Sequence, residues 1–590
     1  MSEGQTDSVT VLIGGDAGQG VESGGSGLAL AAARAGVQAL AVQDCQSRIR
    51  GGHNFYNVRL GSQPLNAHST TAHLLVALTS DAITAHVDQL IEGGAIILTE
   101  RIEVGDWAQR RPDLTPVRLP LLRIAEEHGS RLMVNTAALA AAAALIDLPL
   151  EAIAGVIKRN FGRKGAGVVG SNLRVAAEAY RLARNGYAGS FPYRIQVPAD
   201  PQSLLLMNGN QALALGALAG GCRFMSAYPM TPATSIVEWL SALPADYGMV
   251  TKHTEDEIAA VCMAIGASFA GARAMTATSG GGFCLMVEAI GLAGMTEVPI
   301  VIVNAQRGGP STGLPTRTEQ SDLLFAIHAG HGEFPRVVLA PATVEECFET
   351  GWRAFNLADN YQCPVIVMTD TLLASSLKTV AADSVDFQRV RIDRGPTLDR
   401  DELDLRTDGY RRFEITESGV SPRAVPGHAR AVFRAASDEH DESGHISEEP
   451  ENRVRMMQKR MRKLDTAEAA MRGPELCGAA SADLTLVCWG STFGPCLEAA
   501  ELLNWRGLSA NVLKFGDLWP LPREAVRSAF LGVRRAVAVE LNYTGQLARL
   551  LHLEAGISIE HTINKYDGRP FSPEEIADAV MKEVAVGIEA

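Results

Sequence analysis

Short apolar runs recur along this chain, and helical patterns separate them. "SVTVLIGG", "HLLVALTS", "CRFMSAYP", "ARAMTATS", "VPIVIVNA", "CPVIVMTD", "LTLVCWG" and "RRAVAVEL" all read as strands. Strands that alternate with helices predict parallel sheets covered by helices on both faces, so the fold class is α/β. At 590 residues the chain is too long for one core. Several parallel-sheet domains are therefore expected. Apolar residues at 46%, charged residues at 20% and 57 glycines fit a glycine-rich α/β protein.

Composition places the boundaries. Residues 1–190 form a first α/β block, and the Gly-, Pro- and Tyr-rich stretch 191–205 reads as a linker. A second block covers 206–390. Residues 391–475 turn charged around "ASDEHDESGHISEEPENRVRMMQKRMRKLD", which reads as a solvated connector with one exposed helix. A third block covers 476–590. A net charge of −14 argues against a nucleic-acid surface. No apolar run is long enough to span a bilayer and no basic leader is seen, so no membrane association and a cytoplasmic location are expected. The nine cysteines contain no Cys-x-x-Cys spacing. Neither a disulfide framework nor a metal or iron–sulfur site is expected on this chain.

Five stretches offer chemistry. The glycine loop Gly14–Gly25 joins a strand to a helix, where backbone amides can approach phosphate. It departs from the dinucleotide fingerprint because Ser23 stands in place of the third glycine, and a tight turn explains it as well. "SRIRGGHNFYNVR" carries Arg48 and Arg50 beside Gly51 and Gly52, and a surface hairpin accounts for it. In "TKHTEDEIAAVCMAIG", Glu255, Asp256 and Glu257 fall in the first turn of a helix, where carboxylates suit the macrodipole. Glu257 begins the apolar run and is expected to point inward, where it needs a partner. "NAQRGGPSTGLPTRTEQSDL" follows a strand, so it lies at the carboxyl edge of its sheet. It offers Arg307, Arg317, Ser311, Thr312, Thr316 and Thr318 for an anion, and a solvent-exposed loop explains it equally well. In "AYPMTPATS", Thr231 followed by Pro232 reads as a helix N-cap, compatible with a ligand at the same helix end.

Together these motifs resemble the 2-oxoacid:ferredoxin oxidoreductase family, in the form whose gamma and alpha parts are fused in that order. "AYPMTPATS" looks like the family's Tyr-Pro-Ile-Thr-Pro signature with Met230 in place of Ile, and "NAQRGGPSTGLPTRTEQSDL" matches the loop that follows it. "GGDAGQGVESGG" and "SRIRGGHNFYNVR" are similar to gamma elements, while "VELNYTGQLARLL" and "YDGRPFSPEEI" carry the likeness to the C-terminus.

The resemblance implies a thiamine-diphosphate enzyme that takes a 2-oxoacid and coenzyme A to an acyl-CoA and carbon dioxide, passing electrons to ferredoxin. It implies a pyrimidine-side domain in the second block and a transketolase C-terminal-like domain in the third. By resemblance, Glu257 bonds the aminopyrimidine ring nitrogen. Arg307 and Thr231 hold the substrate, with Tyr228 beside them and Thr312 contributing to substrate choice. Gly18, Gln19, Gly20, Arg50, Gly51 and Gly52 cover coenzyme A. Magnesium and a 4Fe-4S cluster belong to a separate beta chain, in an assembly of two alpha and two beta. The resemblance favours 2-oxoglutarate, with pyruvate or a branched 2-oxoacid as alternatives. A non-catalytic nucleotide-binding scaffold of a redox complex is the competing class.

Overall fold

The computed structural model describes residues 8–16, 18–45, 52–407 and 409–588. The chain divides into two compact units. One is Met1–Asn208 with Ser375–Val385, and the other is Gly209–Ala374 with Asp386–Ala590.

The first unit is built on one eight-stranded sheet. Its order is Thr115–Arg118, Leu90–Leu98, Ala72–Ala77, Ser8–Asp16, His53–Gly61, Gln38–Cys45, Leu377–Ala381 and Leu204–Met207. Ser8–Asp16 runs parallel to Ala72–Ala77 but antiparallel to His53–Gly61. Only half of this sheet is therefore parallel. Gln38–Cys45 and His53–Gly61 are too close in sequence for a helical crossover and pair antiparallel instead. The helix Val134–Leu145 buries every residue from Thr136 to Leu145. Its alanines make it a core helix rather than a surface one.

Two strands correct the linear boundaries read from composition. Leu204–Met207 begins in the expected linker, and Leu377–Ala381 falls in the expected 206–390 block, yet both complete the first sheet. Thr379 fixes the return: its Oγ1 accepts from Ala39 N at 2.9 Å and lies 2.7 Å from Gln38 Oε1.

The second unit holds two sheets. The larger runs Asp517–Trp519, Val337–Leu339, Pro364–Asp370, Ile300–Gln306, Arg273–Thr278, Cys222–Ala227 and Val250–His253. Every pair is parallel except the first. The smaller runs Glu475–Cys477, Ala510–Phe515, Leu484–Trp489, Ala536–Glu540 and His561–Asn564, again parallel but for its first strand. One apolar core joins them, with Trp489, Leu513 and Phe515 packed in the same cluster as Ile300, Ile302 and Ile366. Covered parallel strands are the predicted architecture.

The charged connector differs from expectation. Its helix, Pro450–Glu468, buries Met456, Lys459, Arg460, Lys463 and Ala467, a helical stripe that is largely cationic. Lys459 Nζ lies 2.5 Å and 2.7 Å from the two Glu297 carboxylate oxygens, and Lys463 bonds the same carboxylate. Arg412 donates to the Glu297 carbonyl at 2.6 Å. Arg460 grips Glu439 with both Nη atoms, at 2.9 Å and 2.6 Å. The counter-charge Glu297 lies outside the connector, so composition alone made these cations look solvated.

This cluster has more positive than negative charge. The two lysines hold Glu297 well below the usual carboxylate range despite burial. Burial pushes Lys459 down from 10.5 to about 7, outweighing its pairing with Glu297. A lysine depressed in the folded state is protonated more fully in the unfolded chain across that window. The contribution of Lys459 to stability is then lowest below about pH 7 and rises as pH climbs toward 10.5. Urea unfolding of the wild type followed from pH 7 to pH 9 is expected to show a rising contribution, absent in Lys459→Met. Glu297→Ala leaves buried cations unpaired and is expected to cost about 3–5 kcal/mol, read as a lower denaturation midpoint.

Candidate functional site

Three adjacent parallel strands of the larger sheet, Cys222–Ala227, Arg273–Thr278 and Ile300–Gln306, end at one edge. The sequence placed its motifs there because loops at the carboxyl ends of such strands surround ligand sites.

Glu257 is the first residue of the helix Glu257–Phe269. Asp256 is the N-cap, its Oδ1 accepting from Ala259 N at 2.7 Å, and Glu255 is exposed. Glu257 is turned inward at 3% exposure, as expected. Its Oε1 is buried and meets no hydrogen-bond donor. The helix Gly280–Met295 starts against it. A Cβ on Gly282 would fall 2.6 Å from Glu257 Oε1 and 2.1 Å from Thr278 Oγ1, so only glycine admits the carboxylate. Ser279 Oγ and Asn304 Oδ1 are also buried without partners. A lone carboxylate oxygen in such surroundings fits a protonated ring nitrogen of a cofactor.

The Tyr-Pro-Met-Thr-Pro turn reaches the same place. Thr278 Oγ1 lies 3.8 Å from Met230 Sδ. Arg307 Nη1 donates to the Thr231 carbonyl at 2.8 Å. Among the described residues no carboxylate pairs with Arg307, and burial holds its guanidinium below its usual range. A desolvated cation without a counter-ion is suited to a substrate carboxylate. Tyr228 is 38% exposed, at the cleft rim. Thr312 is exposed in the loop, and the neighbouring Ser311 carbonyl lies 3.7 Å from where a Gly281 Cβ would stand, which brings the loop tip over the start of the helix Gly280–Met295.

One expectation fails. Thr231 does not cap a helix: the helix is Thr234–Ser241 and its N-cap is Ala233, with no side-chain cap bond. Asn210 Nδ2 instead donates to the Pro232 carbonyl at 2.9 Å and to Ser235 Oγ at 2.8 Å. That anchor keeps Thr231 and Pro232 in a turn before the helix.

Several side chains escaped the sequence reading. Asp322 lies against Gly280, whose Cβ would fall 2.5 Å from Asp322 Oδ2. Burial pushes its carboxyl up, and the Asn304 Nδ2 bond at 3.1 Å only partly opposes this. Burial raises Glu319 as well. Gln320 is fully buried and clamps the foot of the loop to the smaller sheet. Its Nε2 donates to the Trp489 carbonyl at 2.8 Å, its N to the Leu541 carbonyl at 2.7 Å, and its Oε1 accepts from Leu541 N at 3.2 Å. Asn542 Nδ2 donates to its carbonyl at 3.1 Å. Thr318 is not a free hydroxyl: it donates to the buried Asp370 at 3.0 Å. A glutamine in a polar loop gives no sign of such a role, because its partners lie more than 160 residues away.

The candidates in the other unit form a separate group. Gly18 and Gly20 take positive φ of 89° and 80°, and Gly20 precedes the helix Val21–Arg34. Gln19 Oε1 accepts from Asp16 N at 3.0 Å, and its carbonyl accepts from Asn135 Nδ2 at 2.6 Å. Gly52 is exposed with φ of 80°. Arg48, Arg50 and Gly51 lie outside the described residues. Among the described residues no group of three metal-ligating side chains converges, and no helix is long and apolar enough to cross a membrane.

Comparison with known proteins places this geometry. Residues 215–459 match a family described as pyruvate flavodoxin/ferredoxin oxidoreductase, thiamine diP-bdg. Residues 10–182 match pyruvate ferredoxin/flavodoxin oxidoreductase, and residues 478–582 match the transketolase C-terminal domain. The alpha subunit of a Saccharolobus solfataricus 2-oxoacid:ferredoxin oxidoreductase is 32% identical over 98% of both chains. The 2-oxoglutarate synthase subunit KorA of Methanothermobacter thermautotrophicus is 34% identical, over 64% of this chain and 98% of its own. The structure of a 2-oxoglutarate:ferredoxin oxidoreductase from Magnetococcus marinus, with 2-oxoglutarate, coenzyme A and succinyl-CoA bound, is similar at a TM-score of 0.91. It is 33% identical, over 98% of this chain and 100% of that one.

The Gln320 clamp makes a local prediction. Gln320→Leu is expected to speed amide hydrogen exchange in residues 307–317 while the helix Glu257–Phe269 keeps its protection. Equal exchange in both proteins would show that the loop does not depend on Gln320.

Proposed function

The chain belongs to the 2-oxoacid:ferredoxin oxidoreductase family as an alpha-type subunit, and from that premise we propose 2-oxoglutarate as its substrate. The proposed reaction converts 2-oxoglutarate and coenzyme A to succinyl-CoA and carbon dioxide with reduction of ferredoxin, or the reverse carboxylation. Membership in an enzyme family sets aside the scaffold reading. The observation that carries the proposal is the pairing of an unpartnered, buried Glu257 oxygen with an Arg307 that lacks a carboxylate partner, at one sheet edge. The full-length likeness to a structure with 2-oxoglutarate bound supports this substrate.

Thiamine diphosphate, when bound, supplies the carbon nucleophile and the electron sink for decarboxylation. Glu257 Oε1 would hold the proton on the aminopyrimidine ring nitrogen, at a place where Gly282 leaves room for the carboxylate. Arg307 orients the 2-oxoacid carboxylate, and Thr231 donates its hydroxyl to the same carboxylate or to the keto oxygen. Tyr228 and Thr312 border the substrate, and the distal carboxylate of 2-oxoglutarate needs a further basic partner, either Arg317 of the same loop or a residue of the beta chain. A separate beta chain carries magnesium, the diphosphate contacts and the 4Fe-4S cluster, in an assembly of two alpha and two beta chains in the cytoplasm. Coenzyme A is covered by the first unit through Gly18, Gln19, Gly20, Arg50, Gly51 and Gly52.

The assembled complex is expected to give a higher kcat/KM for 2-oxoglutarate than for pyruvate or 2-oxoisovalerate. A preference for pyruvate rejects the substrate assignment. Because Thr231 caps no helix, Thr231→Ala is expected to leave stability within about 0.5 kcal/mol while raising KM for the 2-oxoacid. A stability loss with unchanged kinetics would return Thr231 to a purely structural role.

A further inference from the structure

The N-terminal unit holds an imidazole pair that none of these roles uses. His53 opens the strand His53–Gly61, and His86 ends the helix Ser80–His86. Their Nε2 atoms are 2.7 Å apart, and His86 Nδ1 lies 3.0 Å from Gln89 Oε1. An amide oxygen only accepts, so His86 carries its proton on Nδ1 and offers a lone pair at Nε2. His53 must then donate from Nε2, which leaves its Nδ1 bare. That Nδ1 is buried and meets no donor among the described residues.

The surroundings describe what could complete it. A Cβ on Gly14 would fall 2.8 Å from Ala82 Cβ and 3.2 Å from His53 Cε1, so the pair rests on bare backbone just before the glycine turn. His53 stands opposite Asp16 in register, where the parallel strands Ser8–Asp16 and Ala72–Ala77 end. This is the edge at which such sheets take ligands. Asp16 and Asp44 from neighbouring strands and Asp81 from the helix Ser80–His86 act on His53 and favour its protonation. Burial outweighs them and lowers both imidazoles, with Gln89 opposing at His86. Among the described residues, a neutral pair near three carboxylates suits an uncharged donor better than an anion.

We propose that His53 Nδ1 is the acceptor of a ligand site in the N-terminal unit, reading an uncharged N–H group of the kind coenzyme A presents in its amides and exocyclic amine. The proposal rests on the reading of this unit as the coenzyme A cover. Gln89 is a positioning residue, because its amide oxygen sets the direction of the proton chain.

The test uses the full complex with histidine labelled by ¹⁵N and coenzyme A as the probe. A donor at Nδ1 stabilises the neutral ring, so coenzyme A should lower the apparent pKa of His53, whereas a phosphate placed there would raise it. His53→Phe should weaken coenzyme A binding about tenfold. Gln89 is exposed. Gln89→Glu should raise the pKa of the pair and weaken coenzyme A similarly, leaving KM for the 2-oxoacid unchanged. A merely structural Gln89 would leave coenzyme A affinity at the wild-type value even though the added carboxylate raises that pKa. Coenzyme A bound with the His53 pKa unchanged or raised overturns the proposal and leaves the enzyme assignment standing, as does wild-type affinity in both variants. No binding of coenzyme A by the wild-type complex would overturn the reading of function together with the proposal.

Discussion

A buried carboxylate oxygen that meets no donor among the described residues is the constraint around which the larger sheet's edge is arranged. Glu257 sits at 3% exposure with Oε1 unpaired. Leaving a buried acceptor unsatisfied costs about 1–3 kcal/mol, and the surrounding residues sustain that state. Asp256 takes over the capping of the helix, so Glu257 is free to turn inward. Gly282 removes the side chain that would collide with it. Such an arrangement makes sense when a partner from outside the chain brings the missing proton.

The loop proposed to meet the substrate depends on a different part of the molecule. The loop from Arg307 to Gln320 is polar and largely exposed at its tip, and alone it would sample many conformations. Its foot is fixed by Gln320 to Trp489 and Leu541 and by Thr318 to Asp370. The transketolase C-terminal-like region thereby supports the loop through packing and hydrogen bonds. The connector contributes in the same way, since Lys459 and Lys463 fasten the helix Pro450–Glu468 to Glu297 just ahead of the central strand Ile300–Gln306.

Much of this was legible in the sequence where a local pattern had a local cause. Continuous apolar runs between helices gave the parallel sheets, and the position of Glu257 at the start of an apolar helix gave its inward orientation. Features set by distant partners were not legible. The helix Pro450–Glu468 read as solvated because its counter-charge is 162 residues away. Gln320 looked like any loop glutamine, and Leu377–Ala381 gave no sign that it returns to the first sheet. Thr231 before Pro232 imitated a capping signal, but Asn210 holds the turn and delays the helix to Thr234. The half-antiparallel first sheet was missed because strand direction follows from connection length as well as from composition.

Hydrogen–deuterium exchange at the thiazolium C2 of thiamine diphosphate in the assembled complex tests the role of Glu257 most directly. With Glu257→Gln, exchange is expected to slow by roughly 10²-fold or more, the range for loss of acid–base assistance, with cofactor occupancy and fold retained. Exchange at the wild-type rate would contradict the account, because the buried carboxylate would then have no part in activating the cofactor.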